Sequence, residues 1–267
     1  MKNIVLTGVS GGMGYETALK LTKNGYHVFG LDIKEPKEPL ENLSFIKTNL
    51  REQSSIDAAF EIIKKEADEL DAIINMAGIF DLNSLIEMSE EDFIRIFDIN
   101  VFSLYRLTKT FVPLLKENGK VIIISSEVAP LDPLPFNGIY SITKTTVEKY
   151  AYSLRMELQL LNKQVVIVRP GAVNTSLIDV STTKIDSFVD NTKLYNTNAD
   201  RFRKIVNNVE SRKIDPSKIA DLIYKILLKK KPKYVYAINR NPLLLLLNAL
   251  PDRLQNYIIK KILLSKR

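Results

Sequence analysis

Asn3-Ile-Val-Leu-Thr7-Gly8-Val-Ser-Gly-Gly12-Met-Gly14 opens the chain and decides its fold. A short apolar run of strand length feeds a glycine-rich turn, and from Tyr15 to Lys23 the pattern becomes helical. Glycines permit a tight turn and a close approach of backbone to ligand. The helix that follows offers N–H groups and the positive end of its dipole. Strand, glycine turn and helix in this order meet the needs of a dinucleotide pyrophosphate. The plainer alternative is an ordinary glycine loop between strand and helix.

Outward from this unit, apolar β runs alternate with helical patterns, which marks a parallel sheet with crossover helices. Strands are expected at 3–7, 26–32, 43–48, 71–75, 119–125, 164–169 and 233–238, and helices at about 13–24, 55–68, 89–116, 139–161 and 216–229. Ser89 with Asp92 reads as a capping box, and Asp215-Pro216 as an N-cap followed by proline at the first helical position. No internal repeat or low-complexity linker divides the chain, so one domain is expected.

Tyr140-Ser-Ile-Thr-Lys144 places a phenol and an amine four residues apart on one face of an expected helix. A free tyrosine, with a pKa of about 10, is a poor base at neutral pH. A neighbouring ammonium favours the phenolate, so Lys144 is expected to lower the pKa of Tyr140 and make it a usable general acid/base. Alone, the pair would be unremarkable on any solvated helix.

The pattern Thr7-Gly8-x-x-x-Gly12-x-Gly14, taken with Tyr140-x-x-x-Lys144, resembles the short-chain dehydrogenase/reductase family. Further matches follow in the family's order: Asn75-Met-Ala-Gly78, Asp98-Ile-Asn100, the run Val121 to Ile124 leading into Ser125-Ser126, and Pro170-Gly-Ala-Val-Asn-Thr175. The resemblance covers roughly residues 3 to 240. It implies an α/β fold, a single Rossmann-type doubly wound domain on a seven-stranded parallel sheet. It also implies a catalytic set of Asn100, Ser126, Tyr140 and Lys144. In the oxidative direction Tyr140 would take the hydroxyl proton of an alcohol while hydride passes to the nicotinamide, and in reduction it would protonate the developing alkoxide. Ser126 would hydrogen-bond the substrate oxygen. Lys144 would also hold the nicotinamide ribose, and Asn100 a water linking Lys144 to solvent. Ser125 is set aside, because neighbouring strand residues face opposite sides.

For the cofactor, the resemblance implies contacts from Gly8, Ser10, Gly11, Gly12, Met13 and Gly14 in the first turn, and from Asn49 and Leu50 after strand three. Asn75, Ala77 and Gly78 follow strand four, and Pro170, Gly171, Val173 and Thr175 follow strand six. Asp32 closes strand two, where a carboxylate accepts hydrogen bonds from the adenosine ribose and repels a 2′-phosphate, so NAD is expected over NADP. Lys34 argues the other way, and Asp32 could instead be a turn-capping residue. Two departures stand out. Met76 replaces a second asparagine, and Ser126 lies fourteen residues before Tyr140 where thirteen is usual, with Glu127 at the thirteenth place. A carboxylate cannot donate the hydrogen bond that position requires, so the serine is read as Ser126 ahead of a proline-rich loop one residue longer.

Composition narrows the rest. The 267 residues include no cysteine and one histidine, His27, so disulfides, thiolate metal sites and histidine-based dyads have no material, and no metal is expected. No signal-like segment opens the chain, and no apolar run reaches about 18 residues, so a cytoplasmic protein is expected. Residues 176–212 break the strand–helix pattern, with Leu177, Ile178, Phe188, Val189, Leu194, Tyr195 and Phe202 scattered among polar residues. This length suggests a substrate-covering lid, the alternative being a packed helical excursion.

From Lys229 to Arg267 ten basic residues face one acid, a net +9 that exceeds the whole chain's +7 and leaves −2 for the remainder. Leu254, Ile258 and Ile262, with Tyr257 alongside, trace an apolar stripe edged by lysines. The chain therefore divides into a catalytic domain over 1–240 and an amphipathic basic extension over 241–267. That extension would contact a membrane surface peripherally, cap the substrate pocket, or serve an interface. No nucleic-acid role is expected. A homodimer or homotetramer is. Two function classes remain: an NAD-dependent oxidoreductase interconverting a secondary alcohol and a ketone, on a hydroxysteroid-like, retinoid-like or fatty substrate, and a dinucleotide-sensing or scaffold protein. The intact set of four residues speaks for chemistry.

Overall fold

The computed structural model describes residues 2–210 and 213–264, and within helices the side chains outside 176–183 and 207–210. Seven strands form one all-parallel sheet: β1 (Lys2–Thr7), β2 (Tyr26–Asp32), β3 (Leu43–Lys47), β4 (Leu70–Asn75), β5 (Leu115–Ile124), β6 (Gln164–Pro170) and β7 (Val235–Ile238). Their order is β3-β2-β1-β4-β5-β6-β7. Alternate residues of each strand face opposite layers, and the burial follows that parity. Val5, Phe29, Ile73, Ile123 and Ile167 pack under α2 (Gln53–Glu66), α4 (Ser103–Phe111) and α5 (Gly138–Leu158). Ile4, Leu6, Val28, Ile74, Ile122 and Val168 pack under α1 (Gly12–Thr22) and α8 (Ser217–Leu228). This is the doubly wound α/β sandwich expected from the alternating pattern.

The expected helix over 89–116 is instead α3 (Glu90–Phe97), a π-helical turn at Asp98–Phe102, and α4, ending in a 3₁₀ turn at Val112–Leu114 that contains Pro113. β5 accordingly begins at Leu115, four residues early. Its register against β4 shifts between Leu70 and Ala72, absorbing the extra residues as an irregularity. Asp92 N–H donates to Ser89 Oγ at 3.1 Å, and Ser217 N–H to Asp215 Oδ1 at 2.9 Å, so both caps are formed.

The segment after β6 is helical: α6 (Ser176–Asn191) and α7 (Asn196–Glu210). Glu87 pins the turn between them, accepting from Thr192 Oγ1, Lys193 N and Leu194 N at 2.6, 2.8 and 3.0 Å. The tail forms α9 (Pro242–Asn248) and α10 (Asp252–Leu264). A third apolar cluster joins Leu82, Ile185, Phe202 and Leu263, with Phe80, Phe136 and Ile259 against it, so the tail packs into the α6–α7 layer. Asn198 and Arg201 donate to the Leu263 carbonyl at 2.8 and 3.0 Å. The side of α10 turned inward carries Gln255, Ile259 and Leu263, one position on from the expected stripe. Leu254, Tyr257 and Ile262 of that stripe stand exposed. The side chains of Leu177 and Ile178 lie outside the described residues.

Candidate active site

Strand order reverses between β1 and β4, and their C-terminal ends open a crevice. A cleft of about 500 Å³ lies there, walled by the first glycine turn, Asp32 to Lys34, Thr48 to Arg51, Met76 to Ile79, and Thr175. Gly8 adopts φ +74°, and a Cβ on it would stand 3.0 Å from Ala77 N. A Cβ on Gly14 would lie 1.9 Å from the Gly8 carbonyl oxygen, and one on Gly12 3.0 Å from Thr175 Cγ2. The turn is compact because side chains are absent from it. α1 starts at Gly12 without a side-chain cap and without an acidic residue in its first turn, so its leading N–H groups and dipole end are left for an anion. These features fit a dinucleotide pyrophosphate.

Asp32 is fixed on this wall by backbone donors: Ser10 N to Oδ2 at 3.0 Å and Ile33 N to Oδ1 at 2.7 Å, while Ser10 Oγ donates to the Lys34 carbonyl. It is thus also the turn-capping residue of the alternative reading. Lys34 and Arg51 share the wall, and Arg51 is held by Asp98 at 2.9 Å. Asn49 and Leu50 sit beside them, Asn49 Oδ1 accepting from Arg51 N at 3.1 Å. Thr7 Oγ1 accepts from Met76 N and Ala77 N at 3.0 and 3.1 Å, binding the turn after β4 to β1. Asn75 is buried behind the turn with no hydrogen-bond partner for Nδ2.

A second cavity of about 190 Å³ shares Met13 and Thr175 with the first and contains Ser126, Tyr140, Pro170, Gly171 and Val173. Three residues expected at the cofactor, Pro170, Gly171 and Val173, therefore line this cavity and not the cleft. Tyr140 interacts with the Ser126 hydroxyl through a side-chain hydrogen bond. Its ring meets Phe80 edge-on at 4.7 Å. Lys144 Nζ donates to the Ile124 carbonyl at 3.1 Å and lies 5.7 Å from the Tyr140 ring centre. Asn100 Oδ1 accepts from Ile79 N at 2.8 Å, and Nδ2 donates to the Ile79 carbonyl at 3.0 Å and to Thr143 Oγ1 at 3.1 Å. Both amide donors are thus spent in clamping the segment after Gly78 to α5. A water held by Asn100 would have to use a carbonyl oxygen. A Cβ on Gly78, a residue of the cleft wall, would stand 3.2 Å from Asn100 Oδ1 and 3.6 Å from Lys144 Nζ, so the three lie together. Ser125 also borders this cavity, but its hydroxyl donates at 2.8 Å to Glu148, which also pairs with Arg169.

The titration behaviour corrects one expectation. Burial pushes the Tyr140 phenol up to about 12, with the Ser126 hydrogen bond opposing it. Burial also draws Lys144 down to about 8, against the attraction of Glu148. The phenol's shift thus runs upward, opposite to the expected direction, because burial outweighs the groups that would lower it.

Residues beside the motifs complete the site without a signal of their own in the sequence. Phe80 and Ile79 follow Gly78 directly and form the joint wall of cleft and cavity. Glu127, set aside for Ser126, is buried in the cavity wall and accepts from Asn241 N at 2.6 Å. Burial raises its pKa, opposed by that N–H and by Arg240. Among the described residues there is no cluster of three metal-ligating side chains, and no helix is long and apolar enough to cross a membrane.

Comparison with known proteins agrees with this geometry. The profile of the short chain dehydrogenase family matches residues 2–186. The chain is 28% identical over 264 residues to the 3-ketodihydrosphingosine reductase of Bacteroides thetaiotaomicron, covering 96% of each chain. It is also 28% identical to the NADPH-dependent 3-dehydrocapnine reductase of Ornithobacterium rhinotracheale, covering 98% of this chain and 97% of that one. The crystal structure of a short chain dehydrogenase family protein from Francisella tularensis superposes with a TM-score of 0.74 at 26% identity, over 89% of this chain and 97% of that chain. A glycine cradle at the β1–β4 switch point, a Ser–Tyr–Lys group at its inner end and a family profile spanning both lead to one conclusion: this chain belongs to the short chain dehydrogenase family of oxidoreductases.

Proposed function

We propose that this chain reduces a hydrophobic ketone to a secondary alcohol, with NAD(H) preferred and Tyr140 as the acid. The reading is carried by Ser126 and Tyr140 in a cavity that shares Met13 and Thr175 with the cleft shaped for a dinucleotide, with Lys144 one helical turn from Tyr140. The glycine turn, the α1 N-terminus, Asp32, Thr175 and Lys144 would hold the nicotinamide cofactor, which when bound supplies hydride to the carbonyl carbon. Ser126 Oγ–H polarises the carbonyl oxygen. Tyr140, with a pKa of about 12, is protonated throughout the neutral range and gives that proton to the oxygen as negative charge develops. Carbon gains hydride, oxygen gains the phenolic proton, and the ketone becomes the alcohol. Lys144, with a pKa of about 8, exchanges protons near neutrality and can reload the phenol. A fully protonated phenol suits reduction better than oxidation, and both relatives named above carry reductase names.

For the cofactor, Asp32 on the cleft wall opposes a 2′-phosphate. Lys34 and Arg51 on the same wall are the cations on which the opposite preference would rest, and the Ornithobacterium relative is NADPH-dependent. Met13, Phe80, Val128 and Val173 make the substrate cavity apolar, and Leu244 and Leu247 of α9 pack next to it beyond Val128 and Asn137. The extension from Asn241 would serve as a peripheral membrane element, its exposed Leu243, Leu246, Leu254, Tyr257 and Ile262 interspersed with basic residues. A homo-oligomer would bury the exposed Phe102 and Tyr105 of the π turn and α4, with Tyr152 of α5.

The test is a panel of ketones assayed for NADH and NADPH oxidation, with Tyr140→Phe alongside. Loss of the hydroxyl should lower kcat about 10²- to 10⁴-fold while leaving dinucleotide affinity within about twofold. Near-wild-type turnover by this variant would refute the mechanism. Dinucleotide binding without turnover of any ketone would favour the sensing or scaffold reading.

A further inference from the structure

The substrate cavity holds a charge that the reduction does not use. Glu127 is 7% exposed and lies in the turn directly after Ser126, so the two backbones are about 3.8 Å apart and both side chains border one cavity. Oε2 is occupied by Asn241 N–H at 2.6 Å. Oε1 has no hydrogen-bond partner among the described residues, and Arg240, the nearest opposing charge, is exposed and forms no ion pair with it. On the same wall, Asn137 Oδ1 is buried with no hydrogen-bond partner. A Cβ on Gly171 would stand 3.0 Å from Oε1 and 1.9 Å from the Asn239 carbonyl oxygen, so Oε1 borders that backbone on one side.

A carboxylate thus borders the cavity of the Ser126 and Tyr140 hydroxyls with one oxygen that accepts no hydrogen bond among the described residues. A carboxylate oxygen open to a cavity of this kind favours a cationic donor. A hydroxyl could satisfy one acceptor but would leave the charge unmatched. An ammonium brings three donors, no acceptor and the opposite charge. Resting on the reductase reading above, we propose that the substrate is an amino ketone. Its protonated amine, one or two carbons from the carbonyl, docks on Glu127 Oε1 while Ser126 and Tyr140 hold the carbonyl oxygen. Glu127 acts in specificity and takes no part in proton transfer to the carbonyl.

Glu127→Gln tests this, since glutamine keeps the size and an acceptor for Asn241 N–H and removes only the charge. Wild type and variant are compared on a ten-carbon 2-amino-3-ketone, its N-acetyl derivative and the same ketone without nitrogen. Wild type should favour the free amine by at least about tenfold in kcat/KM. The variant should lose that preference through KM, with its kcat on the nitrogen-free ketone within about twofold of wild type. No preference in wild type, a preference retained in Glu127→Gln, or equal losses on all three ketones would each overturn the proposal. Reduction of the nitrogen-free ketone that depends on Tyr140 would meanwhile leave the reductase reading standing. If no ketone is reduced, that reading falls, and calorimetry with octylamine and octanol decides this one. Amine binding lost in Glu127→Gln supports it, and equal binding to both proteins refutes it.

Discussion

A lysine 7% exposed, with its ammonium given to the Ile124 carbonyl, is costly to the folded state in its charged form, and burial draws its pKa from 10.5 down to about 8. The shift corresponds to roughly 3 kcal/mol at pH 7, where Lys144 is charged both folded and unfolded. Between pH 8 and 10.5 the unfolded chain binds the extra proton, so stability contributed at this position rises with pH across that window and is level above it. Lys144→Met should therefore lose turnover and dinucleotide affinity yet melt at a higher temperature than wild type at pH 7, the gap closing toward pH 10.5. A less stable variant at pH 7 would mean that the Ile124 hydrogen bond outweighs the burial. At Asp32 the effects separate differently. Asp32→Ala removes the acceptor of Ser10 N–H and Ile33 N–H, costing about 1 kcal/mol, and should cut the NAD-over-NADP ratio of kcat/KM at least about tenfold. Equal use of both cofactors by wild type would contradict the preference outright. The spacing of Tyr140 and Lys144 was legible because four residues is a helical repeat. Their pKa values were not, because burial depends on the segments stacked above them, which the local sequence does not specify.

The β1–turn–α1 unit shows how one element tolerates substitutions unequally. A Cβ on Gly14 would meet the Gly8 carbonyl at 1.9 Å, a backbone atom that cannot yield without opening the turn. A Cβ on Gly11 meets the same oxygen at 3.4 Å, ordinary contact, and its φ of −79° suits any residue. Gly14→Ala should cost at least about 2 kcal/mol and most of the dinucleotide affinity, whereas Gly11→Ala should leave stability within about 0.5 kcal/mol. Thermal melts and dinucleotide titration of the pair check this, and equal losses would show that the turn relaxes. The glycines that matter were visible as a motif, but which of them is irreplaceable depends on how α1 crosses β1. The single expected helix over 89–116 fails for a related reason. Asn100 is placed by bonds to Ile79 and Thr143 from two other elements, and the helix admits a π turn at Asp98–Phe102 where it carries that residue.

Across the whole molecule, positive charge is concentrated in residues 229–267, and α9 and α10 carry exposed apolar side chains. The net +9 of residues 229–267 and the exposed Leu254, Tyr257 and Ile262 predict binding to anionic vesicles that weakens with salt, at about 1 kcal/mol per basic residue near the surface. Full-length protein should co-sediment with such vesicles at low salt and remain in the supernatant at high salt or on neutral lipid. Full-length protein left in the supernatant on anionic vesicles at low salt would end the membrane reading. Deletion from Asn241 should abolish co-sedimentation, and it also removes Asn241 N–H from Glu127 and Leu263 from the cluster with Phe202, so a lower melting temperature is expected with it.

The sequence by itself determined the sheet, its helices on both faces and the Tyr140–Lys144 group. Period-2 and period-3.6 patterns, glycine turns and i,i+4 spacing are local, and each was written in a few adjacent residues. Tertiary structure alone decided what lies around that group. It turned Lys144 to a backbone carbonyl, placed Pro170 and Val173 in one cavity with Ser126 and Tyr140, and rotated α10 so that Gln255, Ile259 and Leu263 face inward. It also brought Asn241 across to Glu127, 114 positions away, leaving the other carboxylate oxygen in the cavity. Burial, dielectric surroundings and hydrogen bonds across such distances follow from how layers stack, and that stacking is set by the chain as a whole.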